Sequence, residues 1–99
     1  MRLISWSRKA SLELEKITEY WTERNHSRKY SKKVLNETDA IINHLKSNPE
    51  LGIKTSSASV RMRLVLNNFY VFYSWDESRL FILKFWDTRQ NPNNNEYLN

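Results

Sequence analysis

The stretch Val60–Asp87 restricts the fold more than any other part of this chain. It reads Val60-Arg61-Met62-Arg63-Leu64-Val65-Leu66, then Asn67-Asn68, then Phe69-Tyr70-Val71-Phe72-Tyr73-Ser74-Trp75. After the turn Asp76-Glu77-Ser78 comes Arg79-Leu80-Phe81-Ile82-Leu83-Lys84-Phe85-Trp86. Three runs of β-branched and aromatic residues, punctuated by short polar pieces, predict a three-stranded antiparallel meander. Asn accepts positive φ, so Asn67-Asn68 suits a two-residue hairpin turn. That turn sets Leu66 opposite Phe69, Leu64 opposite Val71, Met62 opposite Tyr73 and Val60 opposite Trp75. Those eight side chains would form one apolar face. Arg61, Arg63, Val65, Tyr70, Phe72 and Ser74 would form the other, left partly free.

The preceding residues supply a cover for the apolar face. Leu3-Ile4-Ser5-Trp6 is a short strand candidate, and Ser7 stands where a helix N-cap belongs. From Arg8 to about Arg24, Ala10, Leu14, Ile17 and Trp21 recur at helical spacing. Asn25-His26-Ser27 breaks the pattern, with Ser27 as the next cap. Tyr30, Val34, Ile41 and Leu45 mark a second stripe, widened by Leu35 and Ile42. Pro49 ends that helix by Asn48, because it disfavours helical angles in the residue before it. Two helices with so short a link make an antiparallel hairpin. The order β-α-α-β-β-β thus predicts an α+β domain: the hairpin on one face of a four-stranded, mainly antiparallel sheet. Pro49-Glu50-Leu51-Gly52 reads as a turn and Ile53–Ser59 as a mobile connection. One domain is expected over 1–92, followed by a polar, frayed tail over 93–99.

Sixteen Lys and Arg against eleven Asp and Glu give a net charge of +5, which favours acidic partners. Cysteine is absent, which excludes disulfide and thiolate chemistry. There is no signal-like apolar run and no stretch near the roughly 20 residues of a membrane span. A cytoplasmic address without membrane contact is expected. His26 and His44 lie on the hairpin with no ligand set around them, so neither a metal nor another cofactor is expected.

Several motifs together resemble the RelE/ParE superfamily of toxins from bacterial type II toxin–antitoxin systems, over Leu3–Pro92. They are Trp6-Ser7 with Ala10, Ile17 and Tyr20, Asn48-Pro49-Glu50-Leu51-Gly52, and the arginine strand. Tyr73-Ser74-Trp75-Asp76 and the closing Phe85-Trp86-Asp87-Thr88-Arg89-Gln90-Asn91-Pro92 complete the set. The resemblance implies a helical hairpin on a small sheet, and a toxin neutralised by a cognate antitoxin in a hetero-oligomer. RelE-like members cut messenger RNA on the ribosome; ParE-like members poison DNA gyrase. The closing segment is similar to the ParE-like pattern, with Asp87 in the place of its histidine and Arg89 on its first arginine.

Cleavage of RNA by 2′-hydroxyl attack needs a base, an acid and cations around the phosphorane. On the RelE-like reading Arg63 and Arg89 would hold the phosphate, with Asp87 in the base position. Arg61, Lys54 and Tyr70 would contact the target, Tyr70 by stacking a base. Otherwise these are solvated charges, or partners for Asp76, Glu77 and Asp87. An aspartate of ordinary pKa, about 3.9, is a poor base at neutral pH unless burial raises it. Tyr97 is offset from the tyrosine of RelE-like members. The basic run Arg24, Arg28, Lys29, Lys32 and Lys33 is either a solvated helix end or a contact for an acidic partner. These features favour a gyrase-binding toxin, which is an inhibitor and not a hydrolase. The alternatives are a ribosome-dependent endoribonuclease and a non-toxic basic nucleic-acid-binding domain.

Overall fold

A computed structural model describes residues 2–98. Strand β1 (Leu3–Trp6) leads into α1 (Arg8–Asn25) and α2 (Lys29–Leu45). Then come β2 (Ile53–Lys54), β3 (Arg61–Val65), β4 (Phe69–Trp75) and β5 (Arg79–Asp87). The sheet has five strands in the order β1-β5-β4-β3-β2. It is mixed, because β1 runs parallel to β5 while the other pairs are antiparallel. The expected fourth strand count is therefore short by one. Ile53-Lys54, read as part of a mobile connection, pairs with Met62 and Arg61.

Ser7 caps α1 as expected: its hydroxyl accepts from the Ala10 N–H at 3.0 Å. Ser27 accepts from the Lys29 N–H at 3.1 Å at the start of α2. The buried line of α2 is Ser31, Val34, Thr38, Ile42 and Leu45. The expected stripe is thus rotated from Ile41 towards Ile42, and Leu35 is exposed. Ser31 lets the helices approach closely. Its hydroxyl donates to the Thr18 carbonyl at 2.7 Å and lies 2.7 Å from the Thr22 hydroxyl.

The hairpin register differs from the expected one by a single residue. Val65 faces Phe69, Leu64 faces Tyr70, Arg63 faces Val71, Met62 faces Phe72 and Arg61 faces Tyr73. Leu66 joins the turn in the left-handed region, at φ 54. The loop therefore holds three residues, and a slip of one sends every β3 side chain to the other face. Arg61, Arg63 and Val65 point to the helices with Phe69, Val71 and Tyr73. Met62 and Leu64 point outward with Tyr70 and Phe72. Leu66 is costly at positive φ for an ordinary side chain, but it packs against the core, which holds it there.

Two cores result. The larger lies between helices and sheet and contains Ala10, Val34, Ile42, Leu45, Val65, Phe69, Val71, Tyr73, Leu80, Ile82 and Phe85. The smaller is on the outer face: Val60, Phe72 and Trp86, flanked by Met62, Tyr70, Leu83 and Tyr97. A bulge in β5 at Leu83 reconciles them. Lys84 pairs with Phe72 but Ile82 pairs with Tyr73, so the inward set changes from Leu80 and Ile82 to Phe85 and Asp87.

The outer face is not left free. The Asn-rich end, expected to fray, is laid across it. Pro92–Asn94 forms a short 3-10 turn, Asn95 is buried, and the Tyr97 ring stacks on Phe72 at 5.5 Å. Ser56 holds this segment by donating to the carbonyls of Tyr97 and Glu96, each at 3.2 Å.

Candidate functional site

The candidate residues fall into separate groups. The first surrounds the Pro49–Gly52 turn. Arg61 Nη1 donates to the carbonyls of Glu50 at 2.8 Å and Gly52 at 3.1 Å. Arg63 Nη1 reaches the Leu51 carbonyl at 3.5 Å. The Tyr73 hydroxyl donates to the Pro49 carbonyl at 2.6 Å. Three side chains from neighbouring strands thus satisfy the carbonyls of a turn that has no ladder of its own. Arg61 also lies over the Trp75 ring, 5.8 Å from its centroid. Burial pushes the Tyr73 hydroxyl pKa up, against the lowering effect of the Gly52 backbone and the two arginines. Lys54 stands exposed on β2, opposite Arg61 in the register. Arg61 therefore clamps this turn through one nitrogen, and Arg63 touches it through a single long contact.

The second group sits where β5 ends. Arg89 binds Asp87 through two edges: Nη2 to Oδ2 at 2.7 Å and Nε to Oδ1 at 3.1 Å. The Arg89 backbone N–H adds a bond to Oδ1 at 2.9 Å. The guanidinium lies 4.7 Å from the Trp21 ring centroid and 5.5 Å from that of Tyr20. Lys16, Ile17 and Gln90 complete the shallow hollow around it. Burial would raise the Asp87 pKa, but the Arg89 side-chain bond, its N–H and its charge together bring it below the usual carboxylate value. Asp87 raises Arg89 in return. The Arg89 side chain stays 53% exposed while Asp87 is 8% exposed. The pair presents a flat, oriented cation, backed by aromatic rings, to solvent.

Among the described residues, no hydrogen bond, ion pair or ring contact links the two groups. Tyr97 stacks on the outer face, whereas Arg61, Arg63 and Arg89 belong to the helix side. Tyr70 lies in the outer cluster, tilted against Phe72 at 6.4 Å, and does not share a face with the arginines as expected. Arg24, Arg28, Lys29, Lys32 and Lys33 are all exposed around the hairpin turn. Asp76, considered as an arginine partner, instead caps its own turn by accepting from the N–H groups of Ser78 and Arg79, each at 2.8 Å.

Two features escaped the sequence reading. Tyr20 and Trp21 are consecutive at the end of α1, yet both reach Arg89; their adjacency in an otherwise polar turn was the available signal. The other is Lys84, which has 3% of its side chain exposed. Its ammonium lies 3.4 Å from Glu13, 4.0 Å from Glu96 and 5.4 Å from the Trp86 ring. Glu13 also accepts from the Phe85 N–H at 3.2 Å, which covers the edge of β5 beyond the end of β1.

The folded protein favours the ionised form of Asp87. Its folded pKa is depressed, so its pairing with Arg89 contributes stability that is full above the unfolded value, about 3.9, and fades as pH falls through the lower folded value. Asp87→Asn should therefore be less stable than the wild type at neutral pH. The gap should close as the solution is acidified below about pH 4. Urea unfolding of both proteins across that range checks it; a gap that widens with acid would contradict the pairing.

A small basic α+β domain with an arginine pair and a separate Asp87–Arg89 pair on the helix side of a mixed sheet defines the structural class. The chain belongs to the family described as "ParE toxin of type II toxin-antitoxin system, parDE", whose model matches residues 4–92. Solved structures agree with the fold. The chromosomal ParDE system of P. aeruginosa aligns with a TM-score of 0.76 at 16% identity, covering 90% of this chain and 98% of that one. The YoeB dimer of Staphylococcus aureus gives 0.62 at 14% identity, with 84% and 92% covered. The YoeB/ParE toxin of Agrobacterium tumefaciens gives 0.61 at 16% identity, with 88% and 98% covered. No curated protein sequence matches this chain.

Proposed function

We propose that this toxin acts by binding DNA gyrase and not by cutting RNA. The observation that carries the reading is the Asp87–Arg89 pair. A base must hold its proton affinity near the working pH, and Asp87 is held ionised by Arg89 with its pKa lowered. Arg61 and Arg63 spend donors on the 50–52 carbonyls, and Tyr97 lies on the other face. Asp87 and Arg89 share one hollow, but there the carboxylate is tied to the guanidinium and its proton affinity is lowered. An oriented cationic surface steers encounter with a target of opposite charge. Arg89, over Trp21 and Tyr20, is its proposed centre, with Lys54 and the basic hairpin turn as outlying contacts.

The proposed neutralising partner is a cognate antitoxin with a net-acidic, amphipathic segment. The structural neighbours include a chromosomal ParDE toxin–antitoxin system of P. aeruginosa and the E. coli DinJ–YafQ toxin–antitoxin complex, which supports a partner of that kind. The domain is proposed to work in the cytoplasm, where gyrase is found.

The test uses purified chain with purified gyrase and, separately, with translating ribosomes. Inhibition of supercoiling with messenger RNA left intact is expected. Arg89→Lys keeps the charge but not the planar fork stacked on Trp21, and should weaken gyrase binding by roughly tenfold, about 1.4 kcal/mol. Cleavage of ribosome-bound messenger RNA that Arg63→Ala abolishes would overturn the proposal in favour of the ribonuclease reading.

A further inference from the structure

The end of the molecule that holds Arg89 also holds the turn of the helical hairpin, and a row of aromatic rings joins the two. Trp21 is the link. Its ring lies 5.2 Å from that of Tyr20 and 5.1 Å from that of Tyr30, edge to face in both cases. Arg89 lies over Tyr20 and Trp21. Asn68 ties the same end together from the sheet: its Nδ2 donates to the Tyr30 hydroxyl at 3.4 Å, and its carbonyl accepts from the Thr88 N–H at 2.9 Å. Each end of the row opens on a hollow with cations. Lys16 and Arg89 line one with Tyr20; Lys29 and Lys33 line the other with Tyr30, Asn25 and Ser27. Among the described residues the only carboxylate in either hollow is Asp87, which Arg89 already neutralises. Glu19 and Glu23 line a different hollow, together with Arg28 and Lys32, and Glu13 is paired with Lys84.

We propose that this row binds single-stranded DNA, with phosphates at the two cationic hollows and bases against the rings between them. Aromatic faces accept any base and flanking cations track the backbone, which is how strands are held without regard to sequence. The Tyr20 ring is 44% exposed although Trp21 and Arg89 pack against it, so a flat partner can reach it. In a duplex the base faces are hidden, and the ring would gain nothing. An acidic peptide would satisfy the lysines and Arg89 but leave the rings unused. The choice of DNA over RNA rests on gyrase as the target, because DNA is what that enzyme handles.

The test titrates the purified chain, without gyrase, into a short labelled oligothymidylate and follows fluorescence anisotropy. Binding should weaken with salt, the logarithm of the affinity falling by about 0.7 per logarithm of salt for each phosphate neutralised. Lys29→Ala with Lys33→Ala should flatten that slope by about 1.4. Tyr20→Leu removes a stacking face and no charge, so it should weaken binding roughly tenfold and leave the slope unchanged. Circular dichroism reports whether each variant is folded, and the salt series on the wild type needs no variant. Unlabelled duplex DNA, oligouridylate and polyglutamate serve as competitors, and each should displace the strand less readily than unlabelled oligothymidylate. Better competition by any of the three overturns the proposal, as does a wild type that fails to bind at low salt. A folded Tyr20→Leu that binds like the wild type overturns it too, because the site then reads charge alone. A supercoiling assay on the same preparations separates this proposal from the gyrase reading. Inhibition without strand binding strikes the strand site alone, and strand binding without inhibition strikes the gyrase reading alone.

Discussion

Gly52→Ala should lower stability by roughly 3 kcal/mol, combining overpacking with the loss of a buried hydrogen bond. Gly52 has ordinary extended angles, φ −74 and ψ 164, so its role is space and not backbone freedom. A Cβ there would fall inside the contact distance of the Tyr73 hydroxyl and 2.9 Å from Arg61 Cβ. Tyr73 is fully buried and its hydroxyl is fixed on the Pro49 carbonyl. The ring cannot swing aside, so the turn must move, and the Arg61 bonds to Glu50 and Gly52 would be strained with it. For a domain of this size about 3 kcal/mol is a fall of about 12–24 °C in Tm. The double variant Gly52→Ala with Tyr73→Phe removes the clashing oxygen and should recover part of the loss. Thermal and urea unfolding of the four proteins in this cycle measure the coupling. Independent, additive effects would mean that the hydroxyl is not what excludes a side chain at position 52.

Glu13→Ala should cost a similar amount, roughly 3 kcal/mol. It removes the closer carboxylate from Lys84, whose ammonium is almost wholly enclosed. It also removes the acceptor of the Phe85 N–H. Glu96, at 4.0 Å and 54% exposed, is a weaker substitute. Lys84→Met is the informative companion. It fills similar volume against Trp86 and takes away the charge that needs a partner, while the partly exposed Glu13 still accepts from Phe85. Its cost should be well below that of Glu13→Ala, following the usual asymmetry between replacing a buried ion pair and breaking one. Equal losses in urea denaturation would mean that Lys84 gains its stability from the charge itself.

The element order and the hairpin were legible because each depends on a local signal repeated several times. Ser7 precedes the stripe of α1, Pro49 follows α2, and three strand-like runs sit between polar breaks. The register was not legible, because it turns on one residue. Asn67-Asn68 invites a two-residue turn, and nothing in Leu66 announces a left-handed conformation; only its packing against the core selects it. That one slip moved Arg61 and Arg63 to the helix side, and so decided what they could bind. Strand β2 escaped notice because two residues carry no periodicity. The candidate site was readable in part. Asp87 and Arg89 are near neighbours in sequence and do meet, whereas Trp21 and Tyr20 join them only through the docking of α1 beside β5. Lys84 was not legible as buried, because only the bulge at Leu83 and the returning C-terminal segment enclose it.

The parallel pairing of β1 with β5 bears on how the toxin is made. β1 has no other strand beside it, and its register joins Leu3 to Arg79 and Trp6 to Ile82. Contacts so distant in sequence form late and slowly. A nascent chain that stops short of Arg79 has a first strand with no neighbour, and no wall to carry α1. Translation that is cut off early therefore releases an unfolded fragment open to proteolysis. The harmful activity arrives only once β5 has been made, which leaves the interval of its synthesis for a partner to be at hand.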